Sequence, residues 1–220
     1  MSEFTVHSVP GSPFGRSVLA MLEEKKAPYR LAPVAPGATK TPEYLRELHP
    51  FGRMPVLVHG DFKLYETQAI LRYLDRVLPQ PSLTPSDVKR AARMDQLMNI
   101  NDWYLFHGVG NVIIFHRIIA PQLMGLAPDE AAIKAAMPKA HAVFDELAKL
   151  LGEQPCFTGD ELSLADLLLA PAVEFFSMIP EWTALGAPHA NLVGWMKRMQ
   201  ERPSLKATTW DRVSELAKAA

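Results

Sequence analysis

Apolar and polar positions alternate in two rhythms along this chain. Residues 4–9 (FTVHSV) alternate with period two and are rich in β-formers, which predicts a strand. Pro10-Gly11 breaks it, and Ser12-Pro13 opens a helix, since Ser is a favoured N-cap and Pro a favoured first helical residue. Val18, Leu19 and Leu22 supply that helix's apolar face as far as Lys26, before Ala27-Pro28 stops it. A second strand is expected over Tyr29 to Val34 and a short helix over PEYLRELH (42–49). VLVH (56–59) and FKLY (62–65), joined by Gly60-Asp61, read as a hairpin. From Thr67 to Leu78 the spacing turns helical, with Ile70, Leu71, Leu74 and either Val77 or Leu78 inward. The order is β-α-β-α-β-β-α.

Beyond residue 85 the rhythm is helical throughout. One long helix is expected over 86 to about 119, with Gly108 and Gly110 as bend points, and another from Pro128-Asp129-Glu130 to Leu151. Ser163-Leu-Ala-Asp166 has capping-box spacing, with Leu162 and Leu167 placed for a hydrophobic staple. Helices over Leu192–Gln200 and Leu205–Lys218 complete the pattern. Proline distribution separates the halves: 11 of the 19 fall within residues 1–85, and prolines interrupt long elements. LPQPSLTPSD (78–87) between them has linker composition. The expectation is an α/β domain over 1–79 and an all-α domain over 88–220.

Composition narrows the function classes. Apolar residues make up 48% and charged residues 21%, as in ordinary folded domains. Lys plus Arg number 23 against 24 Asp plus Glu, a net charge of -1. That argues against a nucleic-acid or anionic-membrane partner, both of which favour a basic excess. No apolar run reaches the ~18 residues of a membrane span, and MSEFTVHSVP has no basic-then-apolar leader. A cytoplasmic protein is expected. The one cysteine, Cys156, excludes an internal disulfide, a dithiol couple and a Cys-based zinc cage, and reads as a small core residue. Seven histidines show no i, i+4 pairing, so no helix-borne metal site is expected. Walker, G-x-G-x-x-G, G-x-S-x-G and H-E-x-x-H signatures are all missing.

Three junctions stand out in the first domain. Ser12 sits at a strand-to-helix turn with its hydroxyl at the positive end of a helix. Met54-Pro55 precedes a strand, where proline is either an edge device or a cis turn. Glu66-Thr67 lies where a strand ends and a helix begins, an anion-friendly terminus. Each also has a plain structural reading as a helix cap or an edge proline.

The element order and the segments PGSPFGRSVLAMLEEK (10–25), HPFGRMPVLVHGDFKLYETQAILRYL (49–74) and SLADLLLAP (163–171) resemble a cytosolic glutathione transferase, across the whole chain. The likeness points to the serine-using branch, that is phi, theta and related bacterial members. It implies a thioredoxin-like, glutathione-binding first domain and a helical second domain carrying most of an electrophile pocket. Ser12 matches the serine that hydrogen-bonds the glutathione sulfur. Met54 matches the residue whose backbone pairs with the cysteinyl unit, and Pro55 the cis-proline after it. Glu66 and Thr67 match the pair holding the γ-glutamyl end, and Lys40 falls near the expected glycyl carboxylate. Arg53 departs from the pattern, where Gln is commoner, although a cation beside a carboxylate is chemically reasonable.

For the electrophile, Trp103, Phe106, His107, Gly110 and Ile114 fall at helical spacings that share one stripe. Phe14, just after Ser12, is placed to close an apolar pocket. The implied reaction is detoxifying conjugation of glutathione, as co-substrate and without metal, to a small hydrophobic electrophile. The alternatives are a glutathione-dependent dehalogenase, peroxidase or isomerase, or a non-enzymatic binding protein on the same fold. The resemblance further implies a homodimer, with Phe51 an aromatic that a partner could bury.

Overall fold

The period-two alternation of residues 4–9 yields strand β1 (Phe4–Ser8) in a computed structural model that describes residues 3–219. Helix α1 (Pro13–Glu24), β2 (Tyr29–Pro33), α2 (Pro42–Glu47), β3 (Val56–His59), β4 (Phe62–Tyr65) and α3 (Thr67–Val77) follow in the expected order. A single 3₁₀ turn, Ala38–Lys40, interrupts the β2–α2 connection. The four strands form one sheet in the order β2-β1-β3-β4. β1 runs parallel to β2, and the other two pairings are antiparallel. This is a thioredoxin-like α/β arrangement. Helices α1 and α3 pack together and bury Val18, Leu19, Leu22, Ile70, Leu71 and Leu74, each such side chain contributing about 1.5–3 kcal/mol. At the end of α3, Leu78 is half-buried and Val77 is exposed.

The polar side of α3 carries an ion pair that periodicity does not show. Lys25 Nζ lies 2.6 Å from Asp75 Oδ1 with its side chain fully buried, and also donates to the Pro81 carbonyl. The Leu83 N–H donates to the same carboxylate at 2.9 Å. The first part of the proline-rich linker is thereby fastened down. The chain consequently divides after Leu83, not at residue 79, into a unit ending there and a second unit, Thr84–Met199.

The first unit is discontinuous. By packing, residues from Gln200 onward group with it, whereas the expected helical domain over 88–220 counts them with the second. The expected final helix is also two: α11 (Pro203–Ala207) and α12 (Trp210–Ala219). Hydrogen bonds explain the return. Arg202 makes a two-pronged contact with Glu24, both at 2.9 Å, and Arg16 Nη2 donates to the Leu205 carbonyl at 3.1 Å.

The second unit is helical. Residues 88–124 form one unbroken helical run that changes register: α4 (Val88–Asn99), a π-helical stretch (Ile100–Gly110), α5 (Asn111–Ile114), a second π stretch (Phe115–Ile119) and α6 (Ala120–Met124). π-Helix is rare and mostly confined to single turns. Gly108 and Gly110 suit the widened register, since a β-carbon at either would lie 3.1 Å from the carbonyl oxygen of Trp103 or Leu105. Helices α7 (Glu130–Leu151), α8 (Leu164–Ser177), α9 (Trp182–Leu185) and α10 (Ala190–Glu201) follow. The expected capping box opens α8. Asp166 accepts from the N–H and hydroxyl of Ser163, the Phe157 N–H and the Trp195 indole, all within 3.0 Å. Cys156 is half-buried rather than a core residue.

Candidate functional site

Ser12 is the N-cap of α1. Its backbone is extended (φ −73°, ψ 116°), and its Oγ accepts from the Gly15 N–H at 3.1 Å. Acting as acceptor leaves the hydroxyl proton to be donated elsewhere. The Ser12 N–H closes the turn onto the Val9 carbonyl at 3.2 Å. Gly15 lets the start of α1 settle on the end of β1, since a β-carbon there would overlap Ser8 Oγ. That Ser8 hydroxyl is fully buried and has no hydrogen-bond partner among the described residues.

Strand register gathers the three junctions. Ser8 pairs with Pro33, His7 with Val56, and Val56 with Tyr65. One step further, Pro55 falls beside Ser8 and Glu66 beside Pro55. The turns bearing Ser12, Met54-Pro55 and Glu66-Thr67, and the β2 exit toward Lys40, therefore share one end of the sheet. The Met54–Pro55 peptide is cis, so of the two readings of this proline the structure takes the turn. Pro55 is buried, Met54 half-buried and Arg53 exposed. The Tyr44 hydroxyl donates to the Arg53 carbonyl at 2.8 Å and fixes the backbone ahead of the cis bond. Lys40, at the end of the 3₁₀ turn, is exposed.

Glu66 is the N-cap of α3, and Thr67, buried, is its first residue. Glu66 has φ 68° and ψ 112°, a conformation costing a non-glycine residue about 1–3 kcal/mol and characteristic of ligand-holding positions. The Glu66 side chain makes no capping hydrogen bond to α3, whose positive dipole end lies at this edge. His49, given no role in the sequence reading, is buried here. Its ring lies 4.6 Å from that of Tyr65, and Nδ1 accepts from the Phe51 N–H at 3.2 Å. Burial pushes the His49 imidazole down from its ordinary value, with Glu66 opposing and Arg53 adding to the shift.

The aromatic stripe takes a different form. Phe14 is half-buried in the first turn of α1. On the long helix, Trp103 is 68% exposed, Phe106 and His107 are half-buried, and Gly110 and Ile114 are buried. The five do not form one face, because the π register spaces the buried positions by four: Asn101, Leu105, Val109, Ile113. Trp103 and His107 do remain neighbours, ring centres 6.0 Å apart. The second unit also has an apolar groove of about 410 Å³ lined by Ile100, Tyr104, Val109, Ala142 and Val143, none of them in the expected stripe. Its volume suits a small molecule. Among the described residues no helix is long and apolar enough to cross a membrane, and no cluster of ligating side chains could hold a metal ion.

Comparison with known proteins identifies the family. Residues 6–82 match the glutathione S-transferase N-terminal domain and residues 105–203 the C-terminal domain. Glutathione S-transferase F14 of Arabidopsis thaliana is 33% identical over 76% of this chain and 67% of its own length. The crystal structure of glutathione transferase F7 from Populus trichocarpa superposes with a TM-score of 0.84 at 26% identity, covering 97% of this chain and 99% of that one. A glutathione S-transferase-I bound with lactoylglutathione aligns over the full length of both chains, with a TM-score of 0.80 and 25% identity. The chain belongs to the glutathione S-transferase family. It is a glutathione transferase, with glutathione as its co-substrate.

Proposed function

We propose that Ser12 activates the glutathione thiol and that the thiolate attacks an apolar electrophile. The observation that carries this reading is the convergence of the Ser12 turn, the cis-Pro55 turn and the start of α3 at one end of the sheet. A free thiol of pKa ~8.5 is only a few per cent thiolate at pH 7. Lowering that pKa by about two units requires ~2.7 kcal/mol of preferential stabilisation of the anion. One charge-assisted hydrogen bond (~1.5–3 kcal/mol) with a helix N-terminus (~0.3–1 kcal/mol) supplies it. Ser12 combines both, as a donor and never as a nucleophile. The sulfur then bonds to carbon, the leaving group departs with its electron pair, and the thiol proton goes to solvent.

The rest of the tripeptide follows the sheet end. The backbone at Met54, held by cis-Pro55, offers its amide and carbonyl to the cysteinyl unit. Glu66 pairs with the γ-glutamyl ammonium, while the Thr67 hydroxyl and the first N–H groups of α3 take its carboxylate. Lys40 and Arg53 serve the glycyl carboxylate. Within the helical unit, the exposed Trp103 and its neighbour His107 are the residues of the expected stripe that remain open to an apolar electrophile. The relative bound with lactoylglutathione supports occupancy of this fold by a glutathione adduct. We place the enzyme in the cytoplasm as a homodimer, an assembly favoured by Phe51, which is 70% exposed. A panel of electrophiles assayed for thioether formation, halide release and peroxide loss tests the reaction. Thioether formation is expected, and a protein inactive throughout that is not retained on immobilised glutathione would overturn the reading.

A further inference from the structure

The segment that returns to the first unit does more than cover its sheet. Gly11, immediately before Ser12, has φ 82°, a left-handed conformation open to glycine and strained for other residues. A β-carbon on Gly11 would lie 2.7–2.9 Å from Cζ2, Cη2 and Cε2 of Trp210. The indole of Trp210, the first residue of α12, is thus seated directly on the Gly11 backbone. Glycine is the residue most able to leave such a conformation, so something must hold it there. Beside the Ser12 N–H to Val9 bond, the Trp210 ring supplies the three atoms nearest that position. The ring is held in turn by its segment. Val213, one helical turn on, is buried, and Ser214 Oγ donates to the Trp210 carbonyl at 2.8 Å. Ser204 Oγ and Arg202 bind Glu24 at the far end of α1, and Arg16 in its first turn holds the Leu205 carbonyl.

We propose that Trp210 is a positioning residue for the activating serine. Its indole holds Gly11 in the left-handed state and thereby sets where the Ser12 hydroxyl stands relative to the bound sulfur. This rests on the Ser12 reading above. In that reading glutathione binding relies on Glu66, Thr67 and Met54, at junctions other than the Gly11 turn. Losing the ring should therefore weaken activation of the thiol and spare affinity.

The test is Trp210→Ala beside Trp210→Phe, Ser12→Ala and Arg202→Ala, with thiolate absorbance of the enzyme–glutathione complex titrated against pH. For Trp210→Ala the bound thiol pKa should rise by about one unit, with a loss in kcat of about threefold at pH 7 that disappears at higher pH. The KM for glutathione should stay within about threefold of the parent. Trp210→Phe should recover part of the shift. Arg202→Ala, which loosens the same segment away from the turn, should lower the melting temperature and shift the thiol pKa much less than Trp210→Ala does. A Trp210→Ala enzyme with the parental thiol pKa, while Ser12→Ala shifts it, overturns the positioning role alone. If neither variant shifts it, the Ser12 reading itself is wrong. If Arg202→Ala shifts it as much as Trp210→Ala, the effect is general loosening and the proposal fails.

Discussion

Replacing Ser12 separates two jobs carried by one oxygen atom. As acceptor, Ser12 Oγ caps α1 through the Gly15 N–H at 3.1 Å; as donor, it stabilises the sulfur anion. Ser12→Ala removes both. Loss of the cap costs about 0.5–2 kcal/mol of stability, a fall of about 2–4 °C in Tm per kcal/mol for a protein of this size. Loss of the donor, at ~1.5–3 kcal/mol, raises the bound thiol pKa by about one to two units and lowers kcat at pH 7 by about 3- to 25-fold. Ser12→Gly divides the two, because glycine at an N-cap costs only a few tenths of a kcal/mol and yet offers no hydroxyl. The glycine variant should therefore melt close to the parent while losing as much kcat as the alanine variant. In both, the bound thiol pKa rises, so the deficit is largest at low pH and narrows as pH climbs through the new pKa. Thiolate absorbance and steady-state kinetics from pH 6 to 9 give the comparison. A glycine variant with parental kcat and thiol pKa would refute the donor role, whatever its stability.

Four further outcomes follow. Glu66→Ala and Thr67→Ala should each raise KM for glutathione, since the ammonium loses its counter-charge and the carboxylate its hydroxyl donor; calorimetric affinities equal to the parent's in both would sink the γ-glutamyl assignment. Phe51→Ser should shift a dimer toward monomer in sedimentation equilibrium, whereas a parent protein sedimenting at 24.5 kDa would remove the dimer itself. Asp166→Ala strands four donors within the second unit and should cost more than about 3 kcal/mol by denaturant titration; a loss below 1 kcal/mol would contradict that. His49 should titrate by NMR below its ordinary 6.5. The neutral ring is favoured in the folded protein, so its contribution to stability holds above that value and fades as pH falls through the lowered one; titration above 6.5 would show that burial does not govern it.

Local chemistry explains which parts of the fold could be read in advance. The strands of residues 56–59 and 62–65 lie where alternation and Gly60-Asp61 place them, and Ser12, Asp129 and Ser163 cap the helices they precede. These are properties of a few adjacent residues. The π register over Ile100–Gly110 was not readable, because a buried spacing of four also fits an ordinary helix. Lys25 and Asp75 stand 50 positions apart in sequence, and the arrival of the linker covers their contact. Glu66 carries a left-handed φ that its residue type does not announce. The seating of Trp210 on Gly11 joins positions that no local pattern connects. At the site, motif residues were recognisable singly, while their alignment at one sheet end follows from strand register.

The split composition of the first unit bears on how the chain folds as it is made. Residues 84–199 form a continuous stretch and can complete their own core as soon as they have been synthesised. The thioredoxin-like unit takes part of its packing from residues that follow them, although its strands emerge first. Helices α11 and α12 come last, and until they dock, Glu24 lacks Arg202 and the Gly11 turn lacks its indole cover. Domains ordinarily fold from the N-terminus during synthesis; here the α/β unit would wait, partly formed, while the unit encoded after it is finished.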